Sequence, residues 1–254
     1  MSSISHLCEP SRLLLTWQGL ESATNPKARY RYVVGELVPT DDPSVVTFRY
    51  LSDTPDFRAA REYGFKGHPA FRLNEKESVW SDVLQTFMRR LPPRKREDFP
   101  AYLQRHLLPH PFALSDLALL GYTGARLPSD GFSLSPVFDC TELPCQLVTE
   151  VAGTRHYATL QDVEAVRVED VAELILEPEN ETDPEAIRVD IGGKKMGYIN
   201  RVVNTNVHGW LEHAVVTAKV CKKNGTPERP LIYIAITAQP VSYTHLRAHE
   251  TRGN

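Results

Sequence analysis

The sequence predicts an α+β N-terminal domain followed by an all-β barrel or sandwich. Strand-length apolar runs open the chain, and apolar residues at helical spacing fill its middle. From Gln146 onward, short alternating segments recur with turn residues between them. The texture changes between Leu134 and Cys145, which places one domain at 1–140 and a second at 145–240.

Arg12–Gln18, Tyr30–Val38 and Val45–Tyr50 read as strands, with the turn cluster Asp41–Ser44 joining the last two as a hairpin. Phe57, Ala60 and Tyr63 recur at three-residue spacing before Gly64, which predicts a short helix within Ser52–Gly64. Ser78–Leu91 is predicted as a helix with Val79, Val83 and Phe87 on one side, stopped by Pro92–Pro93. Helices are also predicted over Lys95–Leu107 and over Asp116–Leu120, the latter capped by Ser115 and ended by Gly121. Pro128–Pro136 reads as loop. In the second domain, strands are predicted at Gln146–Val151, Val166–Glu177, Ala186–Ile191, Lys195–Asn200, Ala214–Cys221 and Leu231–Thr237. Turns fall at Asp183–Pro184, Gly192–Gly193, Asn224–Gly225 and Pro227, and Val202–His213 is the helical candidate.

A net charge of -3 argues against a general polyanion binder, so any nucleic-acid site must be local. No apolar run approaches the roughly 18 residues of a membrane span, and Met1–Pro10 lacks the pattern of a secretory signal. The expectation is a cytoplasmic protein. Of the four cysteines, only Cys140 and Cys145 are close in sequence, and this spacing predicts reduced thiols and no metal site. The tail Val241–Asn254 resembles a translated sequencing-adapter read-through and is set aside as non-native, together with its His245 and His249 pair.

The segment Glu177–Asn200 carries the functional argument. Asn180 and Asp183 favour turns through side-chain bonds to nearby backbone, and Pro184 holds Asp183 extended. A strand then leaves, turns at Gly192–Gly193 and returns, with Gly197 marking a bulge or a close backbone approach. This run resembles the signature of HIRAN domains through Glu177, Pro178, Asn180, Asp183, Ala186, Ile187, Val189, Met196, Gly197, Tyr198 and Ile199. Val151–Tyr157 resembles the opening strand and loop of the same family.

The resemblance implies an OB-like, six-stranded barrel with two small helices that captures the 3′-hydroxyl end of single-stranded DNA. Transferred by motif position, Asp183 would bond the terminal hydroxyl and Asn180 would hold the loop or the end nucleotide. Arg155 would contact phosphate, and His156 or Tyr157 would stack a base. Tyr198 and Arg201 would add polar and basic contacts. The chain departs from a DNA-binding member at Thr182 and His156, where that member carries an aromatic and a tyrosine. Between Cys145 and Pro240 there are 10 basic and 14 acidic residues, a net of -4.

In the N-terminal half, Val34–Tyr50 and Ala118–Leu134 resemble the N-terminal region of HipA-type toxin kinases. The catalytic-loop, D-F-G and P-loop patterns of kinases are not found, and no catalytic residue or cofactor is assigned. Arg89, Arg90, Arg94, Lys95 and Arg96 form the strongest basic patch, readable as a helix C-terminus or as a contact for phosphate or an acidic partner. The leading expectation is a non-enzymatic protein that binds single-stranded DNA ends as a sensor or adaptor for another enzyme. The alternative is a protein-interaction module of a toxin–antitoxin-like or accessory assembly, docking a partner through the N-terminal domain. A hidden nuclease or hydrolase is the third reading.

Overall fold

The computed structural model describes residues 3–19, 30–42, 44–73, 79–127 and 129–241. The tail with His245 and His249 lies outside the described residues, as does part of the predicted helix at Ser78.

The N-terminal part is built on strands β1 (Arg12–Trp17), β2 (Tyr32–Pro39) and β3 (Val46–Tyr50). Alternation puts Leu13 and Leu15 of β1 inward with no more than 1% exposure. Helix α1 (Pro55–Glu62) follows β3, with the Thr54 hydroxyl accepting the Phe57 N–H as its cap. Strand β4 (Val79–Trp80) and helices α2 (Leu84–Met88), α3 (Phe99–Arg105) and α4 (Asp116–Thr123) lead to β5 (Phe132–Val137). These strands form an antiparallel sheet in the order β4-β3-β2-β1-β5.

Three expectations change here. The single helix predicted from Ser78 is a strand followed by a short helix, because Asp82 takes a left-handed conformation (φ 53°) and breaks any continuous turn. Trp80 instead packs its ring, tilted, against Phe48 (5.6 Å) and Phe71 (5.5 Å), while Val83 and Phe87 keep the predicted buried face. The predicted loop to Pro136 contains β5, since an edge strand tolerates a proline that lacks an N–H. Helix α4 runs past Gly121 and ends at Gly124, which adopts the left-handed conformation (φ 71°). Gly121 is wanted for another reason: a Cβ there would lie 2.8 Å from Leu13 Cδ2.

The C-terminal part holds β6 (Cys145–Glu150), α5 (Thr154–Tyr157), α6 (Leu160–Ala165), β7 (Ala172–Leu176), β8 (Ile187–Ile191), β9 (Lys194–Tyr198), α7 (Asn204–His213), β10 (Val215–Thr226) and β11 (Arg229–Gln239). Its strands pair as two three-stranded sheets, β10-β11-β6 and β7-β8-β9. Two isolated bridges, Val171↔Lys219 and Ala152↔Tyr198, join the sheets on either side. Gly192 and Gly193, both with positive φ, make the tight turn between β8 and β9. Asn224–Gly225, expected as a turn, lies within the longer β10, and the reversal falls at Pro227–Glu228. The predicted strand from Val166 begins only at Ala172, and α6, capped reciprocally by Thr159 and Asp162, precedes it. Three α-helices and a 3-10 turn at Arg201–Val203 therefore stand where two small helices were expected.

Buried side chains form two clusters, one spanning Ile4–Leu134 and one spanning Phe138–Ala238. The halves meet through specific polar contacts. Buried Asn206 of α7 accepts the Phe138 N–H (2.9 Å) and donates to Pro136 O (2.8 Å). Arg201 pairs with Asp56 of α1 at 2.8 Å. Tyr122 of α4 bonds the backbone of Cys8 and lies near Phe138. Among the described residues no helix is long and apolar enough to cross a membrane. No group of three or more metal-ligating side chains occurs among them, and the cysteines there are free thiols.

Candidate nucleic-acid interface

The loop between β7 and β8 is shaped by its own side chains. Asn180 Oδ1 accepts the N–H groups of Thr182 (3.0 Å) and Asp183 (3.2 Å). Asp183 Oδ1 accepts the Glu185 N–H at 3.0 Å, and Asp183 O accepts the Ala186 N–H. Helix α7 braces the far end of the loop, where Asn204 Nδ2 donates to Glu185 O at 2.8 Å. These are Asx turns, the reason Asn and Asp suit these positions.

Beside the loop, Tyr198 is the hub of a polar cluster. Its hydroxyl donates to Glu177 Oε2 (2.8 Å) and accepts from Lys195 Nζ (2.7 Å) and Asn180 Nδ2 (3.2 Å). Asn180 also donates to Glu177 Oε2, and Arg188 Nη1 to Glu177 Oε1. The Tyr198 hydrogen bond holds the Glu177 carboxyl below its ordinary pKa, with Asn180, Arg188 and Lys195 assisting against partial burial. Burial works against the Lys195 charge, yet the Tyr198 oxygen and the Glu177 charge leave its pKa raised.

Tyr157 closes the cluster. Its ring meets that of Tyr198 edge-on at 5.2 Å, and Lys195 Nζ lies 4.4 Å from each ring centroid. This proximity depends on two glycines. Gly197 (φ 148°) lets β9 bridge to Ala152, because a Cβ there would sit 2.3 Å from Ala152 O. Gly153 (φ 80°) starts α5 directly beneath the Tyr157 ring.

The structure thus brings together Tyr157, Asn180, Asp183 and Tyr198, drawn from three separate stretches of chain. Arg155 and His156 are exposed on α5, with Arg155 Nε donating to His156 Nε2 at 3.0 Å. Arg201 is committed to Asp56 across the molecule. The stretch expected as an opening loop is helical from Thr154, which turns Tyr157 toward Tyr198. Glu177 and Lys195 were not among the predicted site residues. Glu177 opens the motif and its sequence position gave a signal. Lys195 gave none, because strand alternation places it opposite Tyr198, and only the bulge between Val189 and Asp190 alters that.

The N-terminal basic patch is largely neutralised. Arg90 is 8% exposed at its side chain, bound to Asp130 through two hydrogen bonds and to Ala125 O. Arg94 pairs with Asp116 and Arg96 with Asp98, while Arg89 and Lys95 remain exposed. Arg90 therefore ties α2 to the start of β5, which the sequence grouping could not show.

A family model for the HIRAN domain matches residues 145–239, the whole span from β6 to β11. This part of the chain is a HIRAN domain. HIRAN domains are nucleic-acid-binding modules. Among solved structures, the crystal structure of the HIRAN domain of human HLTF is similar to 37% of this chain and 74% of its own, with 20% identity and a TM-score of 0.29. No curated protein matches. The family match begins at residue 145, and the likeness of the N-terminal half to HipA-type proteins finds no match in these comparisons.

Proposed function

We propose that the HIRAN domain of this chain holds the 3′-hydroxyl end of single-stranded DNA, and that the protein serves, without catalysis, as a sensor or adaptor for another enzyme. We read its six strands as an OB-like barrel that presents the loop at its rim. The observation that carries the reading is the Asp183 carboxylate. One oxygen is fixed by Glu185 N–H, and no hydrogen bond to the other is made among the described residues. That oxygen can accept a terminal hydroxyl, and its negative charge disfavours a terminal phosphate. Exposed Arg155 supplies a phosphate contact, and Tyr157, 49% exposed, supplies a ring for a base. Thr182 offers no second ring, so Tyr157 is the platform on which stacking depends.

Fluorescence anisotropy with short oligonucleotides ending in 3′-hydroxyl or 3′-phosphate tests the reading. The hydroxyl end is expected to bind more tightly, and Asp183→Ala to erase the difference. Arg155→Ala is expected to weaken both and to reduce the salt slope by about one. Equal affinity for both ends in the unaltered protein overturns end capture.

One observation favours the second reading, a protein-interaction module without DNA binding. Asn180 and Asp183 both spend side-chain oxygens on shaping their own loop, in a domain whose net charge is -4. Absence of binding to either oligonucleotide supports it.

A further inference from the structure

A cleft of about 320 Å³ lies between the two halves, away from the Asn180 loop. One wall comes from α3, α4 and β5, the other from β6 and from Lys222 and Tyr233 of the β10–β11 hairpin. Its volume falls at the small end of ligand pockets, roughly 300–1,000 Å³.

The charge around it is one-sided. Among the described residues, Arg31, Arg105, Arg126 and Lys222 line it against one carboxylate, Glu150, four cations less one anion, an excess of +3. Arg90 also lines it, but Asp130 already holds that guanidinium. The chain as a whole carries -3, so this concentration is not a general basic bias. Arg31 is half-buried and donates to a neutral partner, Ser133 Oγ, at 2.8 Å. Lys222 is half-buried too, while Arg105 and Arg126 are exposed at the rim, and partly burying cations beside others is unfavourable unless an anion completes the set. Burial and then Arg126 push the Arg31 guanidinium down to about 10 against the pull of Glu150. Burial, Lys222, Arg105 and Arg126 push His106 down to about 4, leaving a neutral ring in the wall.

The walls also carry aromatic faces. Tyr102 lies 4.8 Å from His106, Arg105 sits over Tyr102 at 5.9 Å, and Lys222 sits over Tyr233 at 5.6 Å. Rings and cations thus stand beside one another in the walls. Guanidinium groups fork onto phosphate oxygens, and flat rings accept a base. We infer that this interlobe cleft is a second ligand site, which binds a nucleotide with its phosphates on Arg31, Arg105, Arg126 and Lys222. The phosphates come either from a free nucleotide or from a nucleic-acid strand.

Calorimetric titration of the full chain with thymidine triphosphate, thymidine and inorganic phosphate tests the site. The triphosphate is expected to bind at least about tenfold more tightly than thymidine or phosphate alone, since only it engages both cations and rings. Arg126→Glu and the milder Lys222→Gln are each expected to weaken it about tenfold or more, as loss of a close charge contact does. Asp183→Ala is expected to leave it unchanged, which separates this cleft from the DNA-end loop. In that variant, displacement of the triphosphate by a 3′-hydroxyl oligonucleotide assigns the cleft to a strand, and no displacement assigns it to a free nucleotide. No binding of the triphosphate, equal affinity for inorganic phosphate, or full affinity in both charge variants overturns the inference. So does loss of binding in Asp183→Ala.

Discussion

Tyr198 illustrates how one side chain organises a site. Its hydroxyl is shared by Glu177, Asn180 and Lys195, so the loop position depends on one oxygen. Tyr198→Phe keeps the ring and removes these bonds. It is expected to cost about 1–2 kcal/mol of stability in urea unfolding, near the net worth of one or two hydrogen bonds to charged groups. The effect depends on pH through Glu177. Its carboxyl is depressed in the folded state, so its contribution is present above the unfolded value and is lost as pH falls through the folded one. The penalty of Tyr198→Phe is therefore expected to shrink below about pH 4. A penalty that stays constant down to pH 2 contradicts this role for Tyr198.

His68 acts within a ring cluster, with Phe71, Phe87 and Phe132 about it at 5.0–5.2 Å. Its Nδ1 accepts the Ala70 N–H, which requires the neutral form. Burial, with Arg90 adding to it against Asp130, pushes its pKa down to about 4. The unfolded chain then binds a proton that the folded chain refuses, between about pH 6.5 and 4. Stability falls as pH drops through that window, by up to roughly 3 kcal/mol. Urea titrations of His68→Asn are expected to show a lower stability at pH 7 and a flatter decline toward pH 5. An unchanged slope shows that other groups set the acid response.

At the scale of elements, β9 and its approach to Ala152 decide whether the site exists. Gly197→Ala would press a Cβ onto Ala152 O, a backbone atom that cannot swing away. The bridge would have to open, at a cost of about 1–3 kcal/mol or more. A thermal melt is expected to show this loss, and oligonucleotide binding is expected to fall with it because Tyr198 moves. Unchanged stability would falsify the close approach. The elements also show what was legible and why. Strands β1, β2, β3, β6, β8 and β9 were readable because alternation with turn residues is a local signal. Strand β4 was not, because its apolar residues also fit a helical period. The choice was made by Asp82 and by the ring partners of Trp80. Strand β5 was hidden by Pro136, whose tolerance depends on an edge position known only from the sheet order.

At the scale of the whole molecule, α7 joins the two cores. Asn206 is 4% exposed and bonds the backbone of Pro136 and Phe138, where the N-terminal sheet gives way to the HIRAN domain. Asn206→Leu leaves a buried N–H and a carbonyl unsatisfied and is expected to cost about 2–4 kcal/mol in chemical unfolding. By contrast, Arg201→Ala removes a half-exposed pair with Asp56 and is expected to change stability by less than about 1 kcal/mol. If Arg201→Ala proves the more damaging, the junction rests on charge and not on buried hydrogen bonds.

The sequence by itself determined the HIRAN segment, the turn-forming roles of Asn180 and Asp183, and the tight Gly192–Gly193 turn. These depend on residue type and short spacing, which local backbone preferences translate directly into shape. Tertiary structure alone decided that Tyr157 meets Tyr198, that Lys195 lies between their rings, and that Arg90 and Arg201 are occupied by Asp130 and Asp56. A bulge, a close backbone approach and long-range ion pairs set these contacts. Each joins residues distant in sequence, so no local period records it. The strand-rich character of the chain was legible, but the charged cleft between its halves exists only because packing brings Arg31, Arg126 and Lys222 to one place.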